Sequence, residues 1–252
     1  MGQLKPALIV CMGVSGSGKS SIGLAIAQAL KCPFVDGDDL HPASNVAKMS
    51  SGTPLNDEDR IPWLHSIRQT AFLLTSDEGV AALSSPNAPQ DPSVPQPSHE
   101  LASVLNKVHP LSLTHSNEMN KQQRRSVVIG CSALKQSYRD LLRGQQSRYV
   151  IDNVERVDPA SDNQDLDTYF VYLHGTRPLL LHRMEMRPGH FFKAPMLDSQ
   201  LSTLERPDPA TEPGVAVIQL GQGPDEEQEV GMEGVAKAAV EAANMLLGLS
   251  SS

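Results

Sequence analysis

The chain has 252 residues and a formal net charge of −8, enough for one α/β domain with a sizeable core or a smaller domain carrying insertions. The acidic balance gives no support for a nucleic-acid or anionic-membrane partner, so any phosphate must be held by local geometry. Cys11, Cys32 and Cys131 are odd in number and share no metal-ligand spacing, which argues for reduced thiols and against a disulfide framework.

No apolar stretch is long enough to span a bilayer. The N-terminal apolar run is too short for a secretion signal, and Pro6 stands where a myristoylation signal needs Ser or Thr. The expected compartment is the cytoplasm.

Apolar runs alternate with helical segments along the chain, which predicts an α/β fold with a mostly parallel sheet covered on both faces. Predicted strands are 7–12, 33–36, 126–131, 169–174 and 215–220. Predicted helices are 20–30, 57–76, 134–143, 178–186 and 234–247. The second carries Ile61, Leu64, Ile67, Ala71 and Leu74 near helical spacing. Two segments interrupt the rhythm of what reads as one domain over residues 1–252. Residues 84–125 are rich in Ser and Pro and bury too little apolar surface to offset ordering entropy. They read as a surface insertion with a disordered Pro-rich half and one short helix near 101–108. Residues 144–167 form a second polar insertion.

The first predicted strand runs into Gly13-Val14-Ser15-Gly16-Ser17-Gly18-Lys19-Ser20, and then into a helix that opens with Ser21. Strand, glycine loop and helix is the context of a phosphate-binding loop. Gly13, Gly16 and Gly18 let backbone N–H groups, those of Ser15 and Ser17 included, close around phosphate oxygens. The helix N-terminus adds partial positive charge. Lys19 can reach the β- and γ-phosphates of ATP, and the Ser20 hydroxyl can ligate Mg²⁺.

At the end of the next predicted strand stands Asp36-Gly37-Asp38. A carboxylate at that sheet edge can hold a Mg²⁺-bound water or accept the proton of an attacking hydroxyl. An acidic turn capping the next helix is the competing reading. Asn56 or Asp57 can cap the helix over 57–76. Arg60 would oppose the dipole in its first turn, so it needs another reason to be there. A clamp on a carboxylate or phosphate is one such reason, and a salt bridge to Asp57 or Asp59 is the alternative. After the third strand, Gly130-Cys131-Ser132-Ala133 would let a substrate approach closely, and Lys135 or Arg139 could meet its carboxylate. No acidic residue ends that strand, which throws Mg²⁺ ordering onto Asp36 and Ser20. Arg183 and Arg187 lie four residues apart on one helical face. The following loop, 189–196, reads with them as a lid over about 183–204 that caps the transferring phosphate and excludes water. Exposed surface arginines are the competing reading.

Several of these motifs together resemble the thermoresistant-type gluconokinases. They are Leu40-His41-Pro42, Asn45, Lys48-Met49, Pro54-Leu55-Asn56-Asp57, Asp59-Arg60, Pro62-Trp63-Leu64, Cys131–Lys135, Tyr138-Arg139-Asp140, Gly189-His190-Phe191-Phe192-Lys193, Gln200 and Leu204-Glu205. The resemblance implies a shikimate-kinase-like P-loop fold: a three-layer sandwich with a five-stranded parallel sheet and a lid, as in nucleoside monophosphate kinases. It implies ATP-dependent phosphorylation of D-gluconate to 6-phospho-D-gluconate with Mg²⁺, feeding the pentose phosphate pathway, and a possible homodimer. By the same resemblance Asp36 helps order the Mg²⁺ shell, through water, and Asp38 is the candidate base. Arg60 holds the gluconate carboxylate, with His41, Lys48 and His190 as further substrate contacts. Arg183 lies against adenine and Arg187 against the phosphates. The alternatives are a P-loop kinase of another small hydroxy acid, or a nucleotide-binding protein without turnover.

Overall fold

In β1 (Ala7–Met12) every residue is buried, because alternate side chains enter opposite layers. Leu8, Val10 and Met12 point into one apolar cluster, and Ala7, Ile9 and Cys11 into the other. The computed structural model describes residues 4–84, 98–112, 124–145, 148–151, 154–157, 166–186, 194–223 and 228–249. Among them, β1 is the centre of a five-stranded sheet. The other members are β2 (Phe34–Asp36), β3 (Ser126–Cys131), β6 (Asp167–His174) and β7 (Val215–Gln219). The order is β2-β3-β1-β6-β7 and every pairing is parallel. The carboxyl ends of the strands therefore open on one edge, where ligands bind in such sheets.

Helices cover both faces, as expected. One layer holds α3 (Asp57–Thr75), α4 (Asp77–Ser84), α5 (His99–Leu105) and α6 (Gln136–Leu142), with Leu64, Ile67, Leu83, Leu101 and Leu141 in its core. The other holds α1 (Lys19–Leu30), α7 (Arg177–Glu185), α8 (Ala194–Thr203) and α9 (Met232–Leu247), with Ile22, Ile26, Leu180, Leu197 and Ala239 buried. A short helix, α2 (Ala43–Ser50), links β2 to α3.

The predicted strands and helices are all present with small changes at their ends. The helix expected over 134–143 starts only at Gln136, because Ala133 takes a positive φ of 44° and the chain turns before it coils. The expected helix over 57–76 gives way at Ser76, the C-cap of α3, to α4.

Residues 98–112 of the segment read as a surface insertion contribute to the core. In α5 and the turn after it, Leu101 is 0 % exposed and Val104 and Val108 are buried. This stretch also closes the open edge of β2. The His109 N–H donates to the Phe34 carbonyl at 2.8 Å, the Phe34 N–H donates to Ser112 Oγ at 3.1 Å, and Val108 bridges Val35 in antiparallel sense. An unpaired edge strand is a liability, and covering it is a standard solution. The Pro-rich residues 85–97, and residues 113–123, lie outside the described residues. Within the second insertion, β4 (Arg148–Ile151) and β5 (Val154–Val157) pair as an antiparallel hairpin.

Candidate active site

The loop between β1 and α1 is shaped by glycines in left-handed backbone conformations, Gly16 at φ 81° and Gly18 at φ 90°. The buried Ser17 hydroxyl pins the turn by donating to the Val14 carbonyl at 2.8 Å, and Lys19 Nζ donates to the same carbonyl at 3.1 Å. Ser21 is exposed in the first turn of α1. The Ser20 hydroxyl donates to Asp36 Oδ2 at 2.5 Å. This couples the start of α1 to the end of β2.

Asp36 also caps the one-turn 3₁₀ helix Gly37–Leu40, its Oδ1 accepting the Asp38 N–H at 3.1 Å. The capping reading of the acidic motif holds, and the turn that Asp36 caps carries Asp38 to the cavity. Gly37 is required there, since a Cβ would collide with the Gly130 carbonyl oxygen of the neighbouring strand. The Trp63 indole N–H donates to the Gly37 carbonyl at 2.7 Å and locks α3 against the turn. Solvent reaches Asp38, yet protein surrounds its carboxyl. Desolvation raises its pKa above the ordinary carboxylate value. Lys19 opposes the rise, and Asp36 and Asp39 add to it.

A reciprocal capping box opens α3. Asn56 Oδ1 accepts the Asp59 N–H at 2.9 Å, and Asp59 Oδ2 accepts the Asn56 N–H at 2.8 Å. Asn56, not Asp57, is the N-cap. One turn in, Arg60 makes no ion pair with Asp57 or Asp59 among the described residues. Asp57 is held by Lys135, with both oxygens at 2.7 Å, and by the Tyr138 hydroxyl. Asp59 is held by Lys48 at 2.5 Å. The salt-bridge explanation of Arg60 is thereby removed.

These parts converge on a cavity of about 510 Å³. Ser15 and Lys19 line it from the phosphate loop. Asp38, His41, Arg60 and Trp63 form a wall, and Met49, Thr53 and Leu55 lie beside them. Ser132 and Leu134 come from the loop after β3, and Pro195, Met196, Ser199 and Gln200 close it from α8. His41 stacks on Trp63 with ring centroids 4.1 Å apart. Its Nδ1 lies 3.3 Å from Asn45 Nδ2, which also donates to the Asp59 carbonyl at 2.8 Å. A carbonyl can only accept, so the Asn45 NH₂ faces the ring, and Nδ1 accepts while Nε2 carries the proton.

The structure places three expected substrate contacts away from the cavity lining. Lys48 and Lys135 are committed to Asp59 and Asp57 and do not line the cavity. Arg139 is 1 % exposed. It donates from Nε and Nη2 to the two oxygens of Glu212 at 2.7 and 2.8 Å, and its Nη1 bonds the carbonyls of Ala133, Leu134 and Glu205. It builds the cavity wall from behind. Arg183 is not a free surface arginine: Nη1 approaches the Ser17 carbonyl at 3.4 Å and Nε donates to Glu229 at 2.8 Å. Its buried Nη2 has no hydrogen-bond partner among the described residues, a donor placed beside the phosphate loop. Arg187 and His190 lie outside the described residues. Asn45, Trp63 and Gln200 stand in the motifs quoted above, but nothing in their side-chain type announces a place at or beside the cavity.

Residues 15–60 match the shikimate kinase family. The chain is 36 % identical over 200 residues to a probable gluconokinase of Xenopus tropicalis, covering 79 % of each chain. It is 32 % identical over 234 residues to the thermoresistant gluconokinase of Escherichia coli K12, covering 93 % of this chain and 91 % of that one. A crystal structure of a gluconokinase from Sinorhizobium meliloti 1021 superposes with a TM-score of 0.56 at 32 % identity, over 98 % of this chain and 94 % of that one. With a phosphate loop, a parallel five-stranded sheet and likeness running along nearly the whole sequence, this chain belongs to the gluconokinase family of P-loop kinases.

Proposed function

We propose that this protein transfers the γ-phosphoryl group of ATP to the 6-hydroxyl of D-gluconate, giving ADP and 6-phospho-D-gluconate for the pentose phosphate pathway. The observation that carries this reading is one cavity lined together by Lys19 of the phosphate loop, Asp38 and Arg60. A polyhydroxy carboxylate calls for a cation to hold its carboxylate and a base to meet its reacting hydroxyl.

Arg60 takes the gluconate carboxylate as a planar fork. Neutral His41 offers its Nε2–H to a sugar-acid hydroxyl oxygen. Asp38 accepts the proton of the attacking hydroxyl, and its raised pKa makes it a better base than an ordinary aspartate. The bond from O6 to the γ-phosphorus forms as the bond to the β,γ-bridging oxygen breaks, and ADP leaves with the electron pair. Lys19 and Arg187 neutralise charge on the transferring group, and Arg183 supports the nucleotide beside the loop.

The Ser20–Asp36 pair suits Mg²⁺, which takes hard oxygen ligands and needs few from the protein when phosphates supply the rest. Ser20 would hold the ion directly and Asp36 through water. When bound, Mg²⁺ neutralises the β- and γ-phosphate oxygens. Both substrates are small water-soluble metabolites, which favours the cytoplasm as the place of action.

The test is ADP release from Mg·ATP with D-gluconate, shikimate, glucose or adenylylsulfate offered in parallel. Turnover with gluconate alone is the expected result. Preference for another acceptor, or tight ATP binding without turnover on any of them, overturns the assignment.

A further inference from the structure

The helix α8 reaches the phosphate loop through Gln200. The backbone N–H of Ser15 donates to Gln200 Oε1 at 2.6 Å. That contact fixes the orientation of the carboxamide. An N–H requires an acceptor, so the oxygen faces the loop and the NH₂ group, which can only donate, occupies the other branch. The NH₂ has no hydrogen-bond partner among the described residues. Gln200 also lines the cavity shared with Lys19 and Asp38. It is presented from a packed element: Leu197, one turn earlier, is 0 % exposed, and Asp198 pairs with Arg177 of α7 at 2.5 and 3.0 Å.

The geometry points to Gln200 as a further catalytic residue, which anchors its oxygen on the Ser15 amide and donates from its NH₂ to the oxygens of the phosphoryl group in transit. This rests on the kinase reading above. The Ser15 N–H expected to meet a phosphate oxygen is taken by Gln200 instead, so this side chain is fixed at the phosphate loop beside the group being transferred. Lys19 supplies charge there, and Gln200 supplies a directional, neutral donor. Gln200 neither gives nor takes a proton: the hydroxyl proton goes to Asp38 and the leaving electron pair to ADP. Its contribution is a set of preorganised hydrogen bonds to oxygens that gain charge in the transition state.

Two substitutions separate donation from docking. Gln200→Glu keeps an acceptor for Ser15 but has no donor, and Gln200→Met keeps the length and loses both. The readouts are thermal melting, affinity for Mg·ADP, and affinity for Mg·ADP with aluminium fluoride, which mimics the phosphoryl group in flight. Folded variants of both kinds are expected to bind Mg·ADP as the parent does. They should lose roughly 10- to 100-fold in affinity for the aluminium fluoride complex, with a parallel loss in kcat. Retention of analogue affinity within about twofold by either folded variant overturns the proposal. Equal losses for Mg·ADP and the analogue also overturn it, since they would show loop disruption. Gluconate turnover by the parent protein is scored separately, so failure of the substrate assignment is distinguishable from failure of the Gln200 role.

Discussion

The Ser20 hydroxyl donates to the Asp36 carboxylate at 2.5 Å, tying the first turn of α1 to the end of β2. The second Asp36 oxygen accepts the backbone N–H of Asp38 at 3.1 Å. One carboxylate therefore orients both the serine proposed to hold Mg²⁺ and the residue proposed to meet the acceptor. Asp36→Asn keeps the volume but weakens the acceptor toward Ser20 and removes its charge. Outer ligands of this kind typically change metal affinity about 10- to 100-fold. The Mg²⁺ concentration for half-maximal rate at fixed ATP should rise by that order, and an unmoved Mg²⁺ curve would remove Asp36 from the metal's surroundings.

Arg60 and its lysine neighbours should behave differently. The two aspartates flanking Arg60 are occupied by Lys48 and Lys135, and Arg60 lines the cavity while those lysines do not. A charge-assisted hydrogen bond contributes about 1.5–3 kcal/mol, so Arg60→Ala should raise the gluconate KM by roughly 10- to 100-fold. Arg60→Lys should recover only part of this, because a point charge cannot replace a fork. Lys48→Ala and Lys135→Ala should each move it by less than about threefold, as expected for partly exposed ion pairs. A large KM effect at either lysine, with Arg60→Ala silent, would relocate the carboxylate site.

Arg139 is a stability residue. Burial by itself raises the pKa of Glu212, but hydrogen bonds from Arg139 and Arg143 outweigh it and leave that carboxyl below its usual range. A lowered folded pKa adds stability above the unfolded value and loses it as pH falls through the folded one. Removing one member of a buried pair leaves an uncompensated charge at a cost of about 3–5 kcal/mol. Arg139→Ala should lower the unfolding free energy extrapolated from urea melts by that order. At temperatures where the variant is folded, its gluconate KM should change far less than that of Arg60→Ala.

The places where sequence and structure part company share a cause. The phosphate loop, the five sheet strands and Asp36-Gly37-Asp38 are legible because the signal is local: an apolar run, a glycine pattern, a turn. Leu101, Val104 and Val108 are hidden inside a polar, Pro-rich stretch whose average composition says loop, and their partners, in the α3 layer and at the open edge of β2, come from elsewhere in the sequence. Lys135 and Arg139 read as ligands because they follow a strand at the functional edge. Nothing local shows that Glu212, 73 residues beyond Arg139, arrives to neutralise it. Gln200 stays invisible for a related reason, since its partner is a backbone amide 185 residues away, and a backbone amide carries no sequence signature.

The packing of Leu101 gives a direct test of the reassigned segment. A buried leucine cut to alanine typically costs about 2–5 kcal/mol. Leu101→Ala should destabilise the protein by that order in urea unfolding, and deletion of residues 98–112 should abolish cooperative folding by uncovering both the core and the β2 edge. A deletion variant that melts like the parent would return the segment to the surface.

His41 should be neutral throughout the working range. Burial lowers its pKa first and the positive charge of Arg60 lowers it further, to about 4. Asn45 reinforces the neutral ring by donating to Nδ1, a contact that a doubly protonated imidazole cannot accept. The folded value lies below the unfolded one, so the linked stability is complete above about pH 6.5 and is lost as pH falls toward 4. In NMR titration the His41 C2 proton should hold its neutral shift from pH 8 down to about 5 and move near 4. The gluconate KM should show no inflection near 6.5, and Asn45→Asp, which turns the donor into an acceptor and a negative charge, should raise the midpoint. A parent midpoint close to 6.5, with a matching inflection in the gluconate KM, would mean that the ring titrates in the working range, and its assignment as a permanently neutral hydroxyl donor would fall.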